Sequence, residues 1–140
     1  MYCQKEISLK PYNRGFHLIS DLIKESIDSS INEIKIGLLH IFIKHTSASI
    51  TINENADQTV RNDMDFFFNN IVPENESYYT HVYEGADDMP AHIKSSIIGS
   101  SITIPITNGK LNMGVWQGVY LCEHRNLGGS RKLVLTIIGE

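Results

Sequence analysis

At 140 residues, 41% of them hydrophobic, the chain has material for one domain spanning residues 1–140 and no room for a second. Twelve basic against sixteen acidic residues leave a net charge of -4, which excludes a diffuse positive field able to hold the phosphate backbone of DNA or RNA. No apolar run approaches membrane-spanning length, no signal peptide opens the chain, and the two distant cysteines, Cys3 and Cys122, suit a reducing compartment, so the expectation is a cytoplasmic protein without a membrane partner.

Residues 2 to 9 predict a first strand, ended by the turn-forming cluster Pro11-Tyr12-Asn13-Arg14-Gly15, and residues 15 to 19 a short second one. Ser20 or Asp21 stands where it can cap a helix whose Leu22, Ile23, Ile27 and Ile31 keep helical spacing, with Asn32 closing it. From residue 33 to 45 apolar side chains occupy both parities, Ile36, Leu38 and Phe42 on one and Leu39, Ile41 and Ile43 on the other. That pattern predicts a central strand covered on both faces. His45 ends it, before Thr46-Ser47-Ala48-Ser49, and reads either as a site residue or as a hydrogen-bonded core residue. A return strand over residues 49 to 52 leads to a helix from residue 56 to about 70, with Asn55 as its cap and Gln58 at the capping-box position. Val60, Met64, Phe67 and Ile71 are its expected buried stripe, and Phe66-Phe67-Phe68 reads as core packing or subunit interface.

A polar, Pro-containing loop then enters the densest chemistry in the chain, the stretch His81-Val-Tyr-Glu-Gly-Ala-Asp-Asp-Met-Pro-Ala-His92-Ile-Lys-Ser-Ser96. Two imidazoles and the carboxylates of Glu84, Asp87 and Asp88 fall within it, where a loop runs into a helix. Pro90 suits a first turn, and Met89, Ile93 and Ile97 form an apolar stripe that leaves His92, Ser95 and Ser96 on another face. Asp87 and Asp88 either accept the orphan N–H groups of that helix start or belong to a site. Glu54 and Asp57 flank the preceding helix start in the same way; if both starts face one cleft, a cation is needed to offset the repulsion of four carboxylates.

Residues 101 to 107 alternate Ile with Thr and Pro, a strand that Pro105 puts at an edge or beside a bulge, and Asn108-Gly109 is a strong hairpin turn. In the strand over residues 116 to 123, Trp116, Gly118, Tyr120 and Cys122 share a parity with His124. Cys122 is then a buried neutral thiol, or a reactive one if its surroundings are electropositive and open. The turn 126–130 lies between Arg125 and Arg131; its glycine amides and the two guanidiniums can cradle a phosphate, although an ordinary hairpin needs the same glycines. A last strand covers residues 132 to 138. The resulting expectation is an α+β fold, a mostly antiparallel β-sheet sandwich with helices packed to one side.

Three elements, a loop, a helix start and a strand end, each present a histidine beside an acidic or hydroxyl neighbour. The reading is that His81, His92 and His124 converge on one pocket with His45 at its rim. A nitrogen-rich set of that kind favours Zn²⁺ or a similar ion over Mg²⁺, with Glu84 or Asp88 orienting the rings from behind; without metal, one imidazole is the general acid or base.

The motifs His45-Thr-Ser-Ala-Ser, Asn53-Glu-Asn-Ala-Asp57, Glu84-Gly-Ala-Asp-Asp-Met-Pro-Ala-His92-Ile-Lys-Ser, Gly114-Val-Trp-Gln-Gly118 and Leu121-Cys-Glu-His124-Arg together resemble the YjbQ family, collinearly and over almost the whole chain. The resemblance implies a compact α+β fold, a homotrimer and a polar pocket lined by motif residues, here His45, Glu54, Asp57, His81, Glu84, Asp88, His92, Trp116, Gln117 and His124. It also implies a weak thiamine-phosphate synthase activity, joining a pyrimidine pyrophosphate to a thiazole phosphate with release of pyrophosphate. That chemistry requires positive charge on the leaving oxygens, from a divalent metal or from Arg125 and Arg131. The alternatives are a metal-dependent hydrolase of a small phosphorylated metabolite and a non-catalytic trimeric binder of such a ligand. The chain departs from the family pattern at Val115, where Thr is usual, and at Gln58-Thr59, where Pro-Asp is usual.

Overall fold

Period-2 patterning decides which strand faces meet. In the computed structural model, which describes residues 1–140, it produces two antiparallel sheets and three helices. In chain order these are β1 (Tyr2–Ser8), β2 (Gly15–Leu18), α1 (Ser20–Ile31), β3 (Ile36–Ile43), β4 (Ala48–Glu54), α2 (Gln58–Ile71), α3 (Asp88–Ile98), β5 (Ser101–Thr107), β6 (Lys110–Leu111), β7 (Gln117–Glu123) and β8 (Lys132–Gly139). One sheet has the order β1-β8-β3-β5-β6 and the other β2-β7-β4, with every pairing antiparallel. The fold is α+β, as the sequence predicts, and none of its helices is long and apolar enough to cross a membrane.

One core of 18 buried residues joins the sheets. Leu39, Ile41 and Ile43 of β3, Leu133, Leu135 and Ile137 of β8 and Ile104 and Ile106 of β5 face Ala48, Ile50, Val119 and Leu121 of the smaller sheet. Ile23, Ile27 and Ile31, one turn apart on α1, enter the same core. A second, small cluster of Phe16, Tyr120 and Cys122 lies on the other side of the smaller sheet, where Met64 and Phe68 of α2 cover it. β7 is therefore the strand buried on both faces, and Tyr120 and Cys122 have no solvent contact. Burial pushes the Cys122 thiol up to about 12, so it is the inert, neutral thiol of the two readings.

Three expectations about faces are corrected. β3 is covered on one side only: Ile36, Leu38 and Phe42 are exposed, because β3 belongs to the outer sheet and no helix packs on that side. In α2, Phe67 and Ile71 point outward and the packed pair is Met64 and Phe68. In α3 the stripe Met89, Ile93, Ile97 is not the buried face; Asp88, Ala91, Lys94 and Ser95 are, with Ser95 Oγ donating to Ala48 O at 2.8 Å. The caps differ as well. Asp57, not Asn55, caps α2 by accepting from Thr59 N at 2.9 Å, while Asn55 Nδ2 donates to the carbonyls of Val115 and Gln117. Ser20 Oγ accepts from Val119 N and caps nothing.

The β5–β6 hairpin turns at Asn108 and Gly109, both left-handed at φ 48 and φ 74, as the Asn-Gly pair predicts. A Cβ at Gly109 would also lie 2.6 Å from Asn32 O, whereas one at Gly129 (φ 73) would meet nothing. Gly109→Ala therefore costs both strain and a backbone clash, and is expected to lower stability by more than about 1 kcal/mol and by more than Gly129→Ala, as read by urea denaturation.

Candidate functional site

The start of α3 is held by charges from the end of β7. Asp87 and Asp88 make no side-chain cap of the helix. Arg125 takes them instead: its Nε donates to Asp87 Oδ2 at 3.0 Å, its Nη1 to Asp88 Oδ1 at 2.8 Å and its Nη2 to Glu84 O at 2.8 Å. Asn126 N adds a bond to Asp87 Oδ2 at 2.9 Å. Burial pushes the Asp87 carboxyl up, but the Asn126 N–H and the Arg125 guanidinium outweigh it and hold it below the usual carboxylate range. Glu84 contributes its carbonyl; its carboxylate is exposed and 3.9 Å from Arg125 Nη1.

With Oδ1 fixed by Arg125, Asp88 presents Oδ2 to two imidazoles. His81 Nε2 lies 2.8 Å from it and His92 Nε2, one helical turn along α3, 3.4 Å from it. The two rings stand edge to face with centroids 5.3 Å apart. His92 Nδ1 donates to Thr46 O at 2.9 Å, which leaves the Nε2 lone pair of the neutral ring pointing into the cluster. One donor atom from each of His81, Asp88 and His92 lies within 4.8 Å of the others. Asp88 is almost fully buried while His81 is half exposed, so the cluster opens outward. His92 also lines a cleft of about 610 Å³ between α3 and the end of β3, walled by Phe42, His45, Thr46, Ser96 and Ser100.

The other expected site residues fall into different places. His45 walls the cleft, but its Nε2 accepts from Lys132 N at 2.9 Å, and burial and then the Arg131 charge hold it below the usual imidazole range. His124 does not join His81 and His92. It is interior, with Nε2 2.8 Å from Ser49 Oγ and its edge toward Phe16, and burial, with a smaller contribution from Lys94, pushes it down to about 3. Arg131 is no phosphate ligand: it is buried in a two-pronged pair with Glu123, at 2.7 Å and 2.6 Å, and its Nη2 also donates to Ser47. The turn needs glycine for that pair, since a Cβ at Gly128 would collide with the Glu123 carboxylate. Arg125 is likewise committed to carboxylates. Glu54, Asp57, Trp116 and Gln117 sit at the opposite end of β4 and β7, roughly 20 Å from the His92 end at about 3.3 Å per residue. There Glu54 Oε2 accepts from Asp57 N and Gln117 Oε1 from Gly114 N, both local bonds.

The role of Asp88 between the rings, rather than behind them, was not read from the sequence, though its spacing of four from His92 carried the signal. Lys94 carries no sequence signal of its burial beyond its place three residues after Ala91 on α3. It is buried, donates to Asn69 Oδ1 at 2.6 Å, and is held below the usual lysine range by burial and by Arg14.

Fold and site together define a two-sheet α+β protein with a histidine–carboxylate cluster, one ring of which, His92, also lines a cleft bearing several hydroxyls. The family model described as UPF0047 protein YjbQ-like matches residues 5–140, and the chain belongs to that family. It is 50% identical to the UPF0047 protein YjbQ of Escherichia coli O157:H7 over the full length of both chains, and 40% identical to UPF0047 protein YugU of Bacillus subtilis, with 72% of this chain and 76% of that one covered. A crystal structure of an uncharacterised conserved protein of the YjbQ/UPF0047 family from Clostridium acetobutylicum superposes with a TM-score of 0.84 at 41% identity, covering 96% of this chain and 99% of the other. A YbjQ-like protein of unknown function from Sulfolobus solfataricus shares the fold at a TM-score of 0.88 and 23% identity.

Two outcomes follow from the buried charges. Arg131→Met leaves Glu123 unpaired in the interior and is expected to destabilise by about 3 to 5 kcal/mol in denaturant titrations. His124, ordinarily near 6.5 but about 3 when folded, binds a proton only in the unfolded chain over that interval, so it lowers stability as pH falls. Stability of the native protein is expected to drop by roughly 1 kcal/mol per pH unit more than that of His124→Asn between about pH 6 and about pH 4.

Proposed function

We propose that the cleft is a metal-dependent site acting on a small phosphorylated metabolite, with hydrolysis the reaction class its geometry favours. The observation that carries this reading is the convergence of His81, Asp88 and His92 on donor atoms within 4.8 Å of one another. The residues fit a cation. Donor atoms around a tetrahedral zinc stand roughly 3.3 Å apart, near the 3.4 Å between His92 Nε2 and Asp88 Oδ2; the half-exposed His81, hydrogen-bonded to Asp88 Oδ2 at 2.8 Å, would give up that bond and draw back to join them, and three protein ligands leave a fourth position open. Glu84, Asp87 and Asp88 against Arg125 alone leave a formal surplus of two negative charges, and two nitrogen donors favour Zn²⁺ over Mg²⁺. A bound ion of this kind supplies a hydroxide near neutral pH and polarises a phosphoryl oxygen. Arg125 keeps Asp88 Oδ2 aimed at the cluster, Thr46 O keeps the His92 tautomer, and in this reading Thr46, Ser96 and Ser100 supply the hydroxyls that donate to substrate oxygens.

Joining of a pyrimidine pyrophosphate to a thiazole phosphate is the second reading. It is supported by the family resemblance and by a cleft volume of about 610 Å³, which has room for two small substrates. Against it, the arginines expected to hold pyrophosphate are neutralised, which leaves the metal and Lys44, itself paired with Glu6 at the cleft wall, to meet the leaving-group charge. A non-catalytic binder is the outcome if neither assay gives turnover.

The oligomer belongs to the same proposal. Leu38, Phe42 and Ile138 expose an apolar face on the outer sheet, and Phe42 also lines the cleft, so a homotrimer that covers this face sets a neighbour against the cleft wall. The working compartment in this reading is the cytoplasm, where Cys3 and Cys122, both free thiols, stay reduced.

Purified protein is expected to hydrolyse phosphomonoesters, to lose that activity on chelation and to regain it with Zn²⁺, with Asp88→Asn reducing kcat/KM at least about 100-fold. Pyrophosphate release from the two thiamine precursors, with no phosphomonoester hydrolysis, would replace hydrolysis by transfer. Light scattering is expected to return three times the chain mass at micromolar concentration; a monomer mass would remove the trimer.

A further inference from the structure

The histidine–carboxylate cluster lies between two concavities of opposite character. On the His92 side is the hydroxyl-bearing cleft, whose one charged lining group is Lys44, itself paired with Glu6. On the His81 side, with the two ring centroids only 5.3 Å apart, is a smaller pocket of about 250 Å³, lined by Asn75, Glu76, Tyr79, Gly85 and Met89 together with His81. Two closed turns preform it: Tyr79 N donates to Glu76 O at 3.1 Å and Asp88 N to Gly85 O at 3.3 Å. The Tyr79 hydroxyl is fixed as well, on Pro73 O at 2.9 Å. Met89 follows Asp88 directly, so pocket and cluster share the first turn of α3.

No cation other than His81 lines this pocket, and the carboxylates around it are matched apart from one. Arg14 meets Glu74, and a divalent ion on the cluster would offset the surplus of Glu84, Asp87 and Asp88 over Arg125. Glu76 takes part in none of the ion pairs of the chain. It is half-buried, with no oxygen sealed from solvent, so a ligand in the pocket can reach its carboxylate. Burial, then Tyr78 and Glu76, push the Tyr79 hydroxyl up, which sets the Glu76 charge beside that side chain. A free carboxylate, an aromatic ring, a thioether and an amide in one small pocket suit an ammonium group, through an ion pair and a cation–π contact, and repel a phosphate.

We propose that this is the specificity pocket of the histidine site, taking the ammonium group of a phosphomonoester of a small amino alcohol, with Glu76 as the residue that selects it. The inference rests on the reading of the cluster as a metal site for a phosphorylated metabolite. The phosphoryl group then lies on the ion and the cleft hydroxyls, and the remainder of the ligand passes His81 into the pocket. The opposite orientation sets phosphate against Glu76 and is disfavoured.

The test reads the pocket without turnover. Protein carrying methyl-¹³C methionine is loaded with Zn²⁺ and titrated with aminopropylphosphonate and, separately, with butylphosphonate, its neutral counterpart of equal length. The P–C bond of both resists hydrolysis. The Met89 methyl resonance, assigned by its loss in Met89→Leu, is expected to shift saturably with the aminophosphonate at a concentration at least about tenfold lower than with butylphosphonate. Glu76→Gln is expected to remove that difference. A Met89 resonance that moves with neither probe, or saturates equally with both in the unaltered chain, overturns the proposal, and that comparison stands whether or not the variant folds. The two readings fail separately. Preferential saturation by the aminophosphonate in a protein that hydrolyses no phosphomonoester upholds the pocket and removes the hydrolytic reaction; hydrolysis with an indifferent Met89 keeps the reaction and removes the pocket.

Discussion

The fork of Arg125 is the contact on which the site depends. A carboxylate as buried as that of Asp88 is costly unless its lone pairs are met, and a single guanidinium meets one oxygen while also holding Asp87 and the Glu84 carbonyl. The bond ties the first turn of α3 to Arg125, two residues beyond the end of β7 and next to His124. It orients Asp88 so that the remaining oxygen faces His81 and His92. Arg125 is thus a positioning residue: it organises the ligand atoms and contributes none.

Behind it stands a second buried pair, Glu123 with Arg131, which closes the other side of the same turn. Glu123 Oε2 also accepts from Arg125 N at 3.1 Å, so the two arginines are linked through one carboxylate and the backbone between them. Two ion pairs of different exposure therefore share the work. The deeper one sets the path of the chain after β7, and the shallower one aims the side chains that can do chemistry. The polar face of α3 turns inward because its groups all find partners there: Asp88 in Arg125, Lys94 in Asn69, Ser95 in Ala48 O. Outward-facing Ile97 is the consequence.

Much of the fold was legible because strand alternation and turn residues are local signals: the β5–β6 turn, the presence and order of the longer strands and the α1 stripe of Ile23, Ile27 and Ile31 follow from them, whereas Leu22 of that stripe is exposed and β3 and β4 differ from their expected limits by up to three residues at an end. Which side of β3 meets solvent was not, since Leu38 and Phe42 read the same whether covered by this chain or left for a neighbour. His81 and His92 were legible as a pair, being close in sequence and linked by the start of a helix. His124 was misplaced although its parity with Cys122 pointed to burial. Arg131 was misread because its partner, Glu123, lies across the turn, and spacing alone does not say whether two flanking arginines face a ligand or a carboxylate of their own chain.

The claim that His81, Asp88 and His92, and not His124, form a cation site is tested most directly by cobalt substitution. Co²⁺ bound to the native protein is predicted to give an intense visible absorption of low-symmetry, four-coordinate character. The same spectrum is expected in His124→Asn, with binding weakened about 10-fold or more in Asp88→Asn and His92→Gln. An unchanged spectrum and affinity in Asp88→Asn, or loss of the spectrum in a folded His124→Asn protein, would contradict it.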